Sequence, residues 1–325
     1  MGKIVYRSAL FGLISVALAV AVTKLGNHLS HSRFNNTSKL TDVRGSLAHG
    51  AHGLKNLNHN GTRHKSAGLE TKHLGVIAND PGNNGDLRLL GKTISGVMRS
   101  PGRHKQSVAE SSFDAWTRYY KQDENSPNAL VSYYTKGALV ALGLDLLIRR
   151  DSAGAHSLDD VMRLLWERYG RDFYQGKPDG LPEDGLPALI QEATGVDTRR
   201  FIARHAYGTA DVPLAELLAP QGVTLQWKAA ANIPSLDART RKQGDSLMPA
   251  TVLEGGAAHK GGLSAGDVLV AIDGLRVDAP AGLDLLLAQY RAGDRVTVHV
   301  FRRDELRAFR VKLAAPDTSE CVLTA

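Results

Sequence analysis

Cysteine is nearly missing from this 325-residue chain: Cys321, near the C-terminus, is the only one. A lone thiol excludes an intrachain disulfide, so no stapled small domain and no redox compartment can be read from it; it reads as an inert tail residue, with a crosslink between two chains of a secreted protein as the alternative. Also missing is any charge excess over most of the length. The formal net charge is +7, but residues 1–85 hold ten Lys/Arg against three Asp/Glu, which leaves thirty of each sign for residues 86–325. The basic character belongs to the N-terminal segment, and no basic domain face argues for nucleic-acid binding.

The first apolar run, Ser8 to Thr23, is sixteen residues long and follows Lys3 and Arg7. A spanning helix needs about 20 apolar residues, whereas the core of an export signal needs about 7–15. Ala19 and Ala21 supply small residues for cleavage. Residues 1–23 therefore read as an export signal or a short anchor, placing the chain in a cell envelope or periplasm; a buried N-terminus and a cytoplasmic location is the alternative. Residues 24–85 are rich in Gly, Asn, Ser, His and Lys, without periodicity, and are expected to be disordered. Seven of the twelve histidines lie here. The pairs His28/His31 and His49/His52 lack a Cys or carboxylate cluster beside them, so no metal site is assigned.

From Leu87 the texture becomes helical, and residues 86–222 read as an all-α domain. "QSVAESSFDAWTRYYK" places Val108, Phe113, Trp116 and Tyr120 on one stripe. Ser126 reads as an N-cap with Pro127 in the first turn of a helix that runs to Arg149–Arg150. That helix, with Leu139, Leu142 and Leu146 at helical spacing and Val140, Leu144, Leu147 and Ile148 on its other faces, is apolar nearly all round and should be buried. "SLDDVMRLLWERYG" has Ser157 as N-cap and ends at Gly170. Two short helices follow.

At residue 223 the period switches to two. "VTLQWKA", "ATVLEG", "DVLVAIDG" and a hairpin around Asp304–Glu305 read as strands, with one helix in "APAGLDLLLAQYRAG". The expected fold class is thus α+β and multidomain: a disordered N-terminal segment, a helical domain, a small β-rich domain over 223–315, and a tail over 316–325. Within the third, "EGGAAHKGGLSAGDVLVAIDGLRV" resembles the middle of a PDZ domain, through Ala258, Gly262, Leu263, Gly266, Asp267, Leu269, Ile272, Asp273 and Gly274. Gly266–Asp267 and Asp273–Gly274 suit tight turns; Leu269 and Ile272 face the core. The resemblance implies capture of extended peptides or protein termini by strand addition, with a terminal carboxylate received near Ser235, Leu236, Asp237 and Ala238. Where the family usually has Gly, Asp237 stands, and its charge would repel a carboxylate. Packing of the domain on its own helical neighbour is the other reading.

"ENSPNALVSYYTKGALVAL", with the helices and PDZ domain after it, resembles the C-terminal half of the glycyl-aminopeptidase family of zinc metallopeptidases. The resemblance implies that Tyr134 of "YTKG" donates a hydrogen bond to the oxyanion of the tetrahedral intermediate, a role that suits a neutral phenol. Tyr133 is then packing. The family's zinc requires H-E-x-x-H. None of the twelve histidines is followed by Glu, and no two are four apart. The reading is a truncated relative with no cofactor of its own, inactive alone and acting in peptide or protein binding. Two alternatives remain: a working metallo-aminopeptidase whose zinc ligands come from a separate zinc-binding half or an unrecognised arrangement, and a PDZ scaffold of the cell envelope.

Overall fold

A computed structural model describes residues 84–171, 180–182, 184–229 and 231–325. The expectations for residues 1–23 and for the low-complexity segment up to residue 83 lie outside the described residues.

The helical domain opens with α1 (Asn84–Met98) and α2 (Val108–Phe113), and continues through the short α3 (Ser126–Ala129). Its central element is α4 (Tyr133–Asp151), followed by α5 (Leu158–Leu165), α6 (Leu186–Thr194), α7 (Arg199–Ile202) and α8 (Leu214–Leu218). Leu139, Val140, Leu144, Leu146 and Ile148 of α4 are buried among Leu90, Ile94, Val108, Val161, Ile190, Ile202 and Leu218. The apolar-all-round helix is the core helix it was expected to be.

Caps set the helix starts. Ser157 and Asp160 form a reciprocal capping box at α5, and Ser107 and Glu110 form another at α2; each satisfies backbone N–H groups that the first turn leaves without a partner. The N-cap of α4 differs from expectation. It is Ser132, whose Oγ accepts from the Thr135 N–H at 3.2 Å. Ser126 instead exchanges hydrogen bonds with Asp123, and the chain is extended at Leu130 between the two helices.

The expected stripe of Val108, Phe113, Trp116 and Tyr120 does not form. Val108 is buried, but Trp116 is 72% exposed and Phe113 and Tyr120 also face outward. Residues Ala115–Tyr119 make a wide turn in which the Tyr120 N–H reaches the Ala115 carbonyl five residues back. Phe113 lies before this turn and five residues from Val108 on the same helix, so the two do not share a face; the extra residue then shifts the phase for Tyr120 beyond the turn.

The strands form two sheets. β1 (Thr224–Lys228) pairs antiparallel with β8 (Glu320–Thr324), in register Thr224 to Thr324 and Lys228 to Glu320. The PDZ sheet contains β2 (Ala238–Gln243), β3 (Ser246–Val252), β4 (Val268–Ile272), β6 (Arg295–Arg302) and β7 (Glu305–Lys312) in the order 2-3-4-6-7, with the two-residue β5 (Leu275–Arg276) on β4. Helices α9 (Ala257–Gly261) and α10 (Pro280–Leu287) complete it.

Two expectations are corrected here. "VTLQWKA" does not join the PDZ sheet, and residues 316–325 are not a loose tail. Val223, Cys321 and Leu323 sit in the core of the helical domain, and the Cys321 N–H donates to Ser95 Oγ of α1 at 2.8 Å. The approach is close: a Cβ at Gly91 would meet the Cys321 carbonyl oxygen at 2.6 Å. The PDZ domain is therefore tied at both ends to a β-ribbon that belongs to the helical body.

The PDZ core follows the sequence closely. Leu269 and Ile272 are buried with Leu247, Val298 and Val311. Asp273 and Gly274 both have positive φ, as does Gly266 before β4. Arg303 and Asp304 also take positive φ and make the two-residue turn of the expected hairpin, one position earlier than the sequence placed it. Asp267 is buried and receives both Nε and Nη2 of Arg302, at 2.7 and 2.8 Å.

Candidate functional site

The first turn of α4 carries three side chains with separate roles, Tyr133, Tyr134 and Lys136. Tyr133 is buried and stacks on Tyr134, ring centroids 4.1 Å apart. Tyr134 is 38% exposed. The Tyr120 hydroxyl lies 2.9 Å from that of Tyr133 and 2.8 Å from that of Tyr134, while the Tyr119 hydroxyl donates to the capping Ser132 Oγ at 3.0 Å. Burial, helped by the bond to Tyr120, pushes the Tyr134 phenol up to about 12. Burial also raises Tyr133 strongly. Both phenols are neutral hydrogen-bond donors at pH 7.

The sequence reading missed Lys136. It is 2% exposed, and its Nζ donates to the carbonyls of Arg103 at 2.8 Å and Thr209 at 3.0 Å. Burial lowers its pKa. Its neighbours are the Arg103–Asp211 ion pair at 3.1 Å and His205, whose Nδ1 lies 3.2 Å from the Ala210 carbonyl. Burial likewise lowers the His205 pKa. One signal was available: Tyr133, Lys136, Val140 and Leu144 fall on one face at helical spacing, and that face is buried.

Tyr134 is part-exposed beside Tyr120, which in turn packs against the outward-facing Trp116 with ring centroids 5.3 Å apart. A cavity of about 660 Å³ lies elsewhere on α4, lined by Val140, Leu144, Val161, Ile190 and Ile202. Among the described residues, no three His, Cys, Asp or Glu side chains gather where they could hold a metal ion. With no His-Glu pair in the sequence, the donors among the described residues do not fit the catalytic zinc of a glycyl aminopeptidase.

In the PDZ domain, Leu236 is buried and its carbonyl accepts from the Ala258 N–H at 2.7 Å. Asp237 takes φ 54°. Its carboxylate accepts from the Ala257 N–H at 3.0 Å, and its own N–H donates to Ser235 Oγ at 2.8 Å. The acidic side chain is thus held at the start of α9, and a Cβ at Gly256 would meet the Asp237 Cβ at 2.4 Å. Ala238 begins β2, paired with Val252. Strand β2 is the last strand on its side of the sheet, and α10 packs against it.

The domain also docks on its helical neighbour. Asn128 donates to the Val252 carbonyl and accepts from the Glu254 N–H, both at 2.9 Å. Lys105 pairs with Glu254, and Arg239 Nη2 donates to the Arg99 carbonyl at 3.0 Å.

Residues 81–140 match the M61 glycyl aminopeptidase family, and residues 234–313 match the PDZ domain. The PDZ match starts after β1, in agreement with the sheet pairing. A crystal structure of an aminopeptidase N family protein from Idiomarina loihiensis is 34% identical, with a TM-score of 0.68, over 78% of this chain and 44% of that one. The chain thus spans less than half the length of that relative. The HtrA-type protease AlgW with a decapeptide is 18% identical over 26% of this chain and 30% of that one, with a TM-score of 0.25. No curated protein matches. This chain joins a helical segment of the M61 glycyl aminopeptidase type to a PDZ domain, and it is a relative of that family.

Proposed function

We propose that this chain is a peptide-capture protein on an M61-type scaffold, without peptide hydrolysis of its own. One observation carries the reading: β2 ends the PDZ sheet with α10 beside it, the arrangement in which an extended peptide adds as a further strand. Leu236, Asp237 and Ala238 stand at the start of that edge and would receive the peptide terminus. The Asp237 carboxylate, engaged by α9, weakens the repulsion that the sequence suggested. The absence of H-E-x-x-H and of a fitting donor cluster among the described residues supports the lack of hydrolysis. The test measures binding of eight-residue peptide libraries to the intact chain, together with bound zinc and turnover of glycyl and alanyl substrates. Saturable binding, no stoichiometric zinc and no turnover are expected. One zinc per chain with chelator-sensitive hydrolysis would refute the non-hydrolytic reading, and no binding at millimolar peptide would refute capture.

A second reading rests on the exposed phenol. Tyr134 is a part-exposed neutral donor hydrogen-bonded to Tyr120, which packs against the outward-facing Trp116. A zinc-bearing half, supplied as a separate chain, would use it as oxyanion donor. Mixing the chain with a module carrying H-E-x-x-H and measuring turnover tests this. Export through residues 1–23 is proposed as the route that brings the protein to the cell envelope, and fractionation of cells with and without those residues tests it.

A further inference from the structure

Strand β2 reads Ala238-Arg239-Thr240-Arg241-Lys242-Gln243, three cations in six residues on the edge where a peptide would add. Successive side chains of a strand alternate between faces, so the adjacent Arg241 and Lys242 point to opposite faces, while Arg239 lies beyond the register shift between Arg239 and Thr240. An incoming strand would meet positive charge on both sides.

The three cations are not spent on carboxylates. Arg239 donates to a backbone carbonyl, that of Arg99, which leaves its charge uncompensated. Arg241 and Lys242 are exposed and form no ion pair among the described residues. Cations elsewhere in the domain do find acids: Arg302 pairs with Asp267, and Arg307 with Glu305. The nearest acids in the sequence are Asp237, which precedes β2 and is engaged by the Ala257 N–H, and the exposed Asp245 in the turn after β2. They are fewer than the cations on the edge.

A cationic edge also resists pairing with another copy of itself, because like charges placed opposite each other across a new strand pair repel. A strand bearing acidic side chains removes that repulsion and gains attraction.

We infer that the β2 edge selects extended peptides that are acidic upstream of their C-terminus, a preference that rests on the peptide-capture reading above. With the terminus near Ser235–Ala238 and a rise of about 3.3 Å per residue, the acidic positions lie about two to five residues upstream, opposite Arg239, Arg241 and Lys242. The selection acts through exposed charges. It is therefore strong at low salt and fades as the screening length falls from about 10 Å at 0.1 M toward about 3 Å at 1 M.

The test uses the full chain and three eight-residue peptide libraries, each randomised over apolar residues at the last three positions. The five upstream positions are all Glu, all Gln or all Lys. Affinity is read by fluorescence anisotropy at low and high salt. The Glu library is expected to bind about 5–50-fold tighter than the Gln library at low salt, from three exposed charge pairs. The Lys library should bind weakest, and high salt should bring the three together. Arg241→Gln with Lys242→Gln should abolish most of the difference, and Arg241→Glu with Lys242→Glu should reverse the order. Equal binding of the Glu and Gln libraries at low salt, or a ranking unchanged by the double variants, overturns the charge preference while capture stands. If none of the three libraries binds, the capture reading falls and the preference falls with it.

Discussion

The Lys136 ammonium donates to the Thr209 carbonyl at 3.0 Å, and so fastens the first turn of α4 to the segment that follows α7. The same group holds the Arg103 carbonyl at 2.8 Å, beside the turn that leads into α2. The lysine of "YTKG" is thus a staple between three parts of the helical domain, behind the tyrosine that the sequence singled out.

Replacing it should show that role. Lys136→Met keeps the length and apolar stem but leaves two buried carbonyls without a donor. A loss of about 2–4 kcal/mol is expected, read by urea unfolding. The sign with pH is also fixed. Burial lowers the folded pKa of Lys136 below its ordinary 10.5, so the unfolded chain holds the proton longer and stability rises with pH in the alkaline range below 10.5. The Met variant should lack that rise. A loss under about 0.5 kcal/mol, or identical pH slopes, would show that the carbonyls find other partners.

The PDZ domain should be separable at the boundary that the sheets define. Residues 234–314 hold the complete sheet, α9 and α10, while Thr224–Lys228 pairs with β8. A 234–314 fragment should melt cooperatively, and adding residues 223–233 should raise its stability only by what Ile233, packed on the PDZ core, contributes. Leu269→Ala within it should cost about 2–5 kcal/mol, as a buried large-to-small change. A fragment that needs residues 223–233 to fold would place β1 in the wrong domain.

The PDZ domain was legible because its turns are local. Gly266, Asp273 and Gly274 announce positive φ within two or three residues of sequence, and the structure gives it there. The caps of α5 were legible for the same reason. What stayed hidden depends on distant partners. No pattern in "VTLQWKA" says that it pairs with Glu320–Thr324 rather than with a strand nearby, since edge-strand composition carries no address. Trp116 and Tyr120 looked buried because a wide turn breaks the helical phase. The role of Lys136 left no mark in the sequence because its partners are two carbonyls contributed by Arg103 and Thr209, far from it along the chain.

Cys321 is a core residue, and its chemistry should say so. It is 5% exposed, and burial pushes its thiol up to about 11. Reaction requires the thiolate. In the native chain a disulfide reagent at pH 8 should label it slowly, at a rate that rises with denaturant, and in full only after unfolding. Rapid stoichiometric labelling of the native chain would mean that β8 leaves β1 and α1 freely, and that the C-terminal strand is a detachable tail.

Tyr134 tests whether the first turn of α4 is chemistry or packing. Its phenol titrates at about 12 in the folded chain, against 10.0 for an ordinary tyrosine. The raised value means that the folded chain keeps the proton longer than the unfolded one. This stabilisation is present below pH 10 and is lost as pH rises from 10 to 12. Tyrosinate absorbance should therefore lose a late-titrating group in Tyr134→Phe, and the stability difference between variant and parent should shrink across that window. At pH 7 the substitution removes only the bond to Tyr120 at a part-exposed site, so a change of about 1 kcal/mol or less is expected. Tyr133→Phe strips a bond from a buried hydroxyl network and should cost more. Function should order the two residues the other way. In the presence of a zinc-bearing half that restores hydrolysis, Tyr134→Phe should lower turnover by about 10²–10³, the effect of removing one oxyanion donor, with KM changed less. Tyr133→Phe should leave turnover near that of the parent once folding is matched, because its hydroxyl is buried. Equal, small effects on turnover would assign both phenols to packing and remove the oxyanion role from Tyr134.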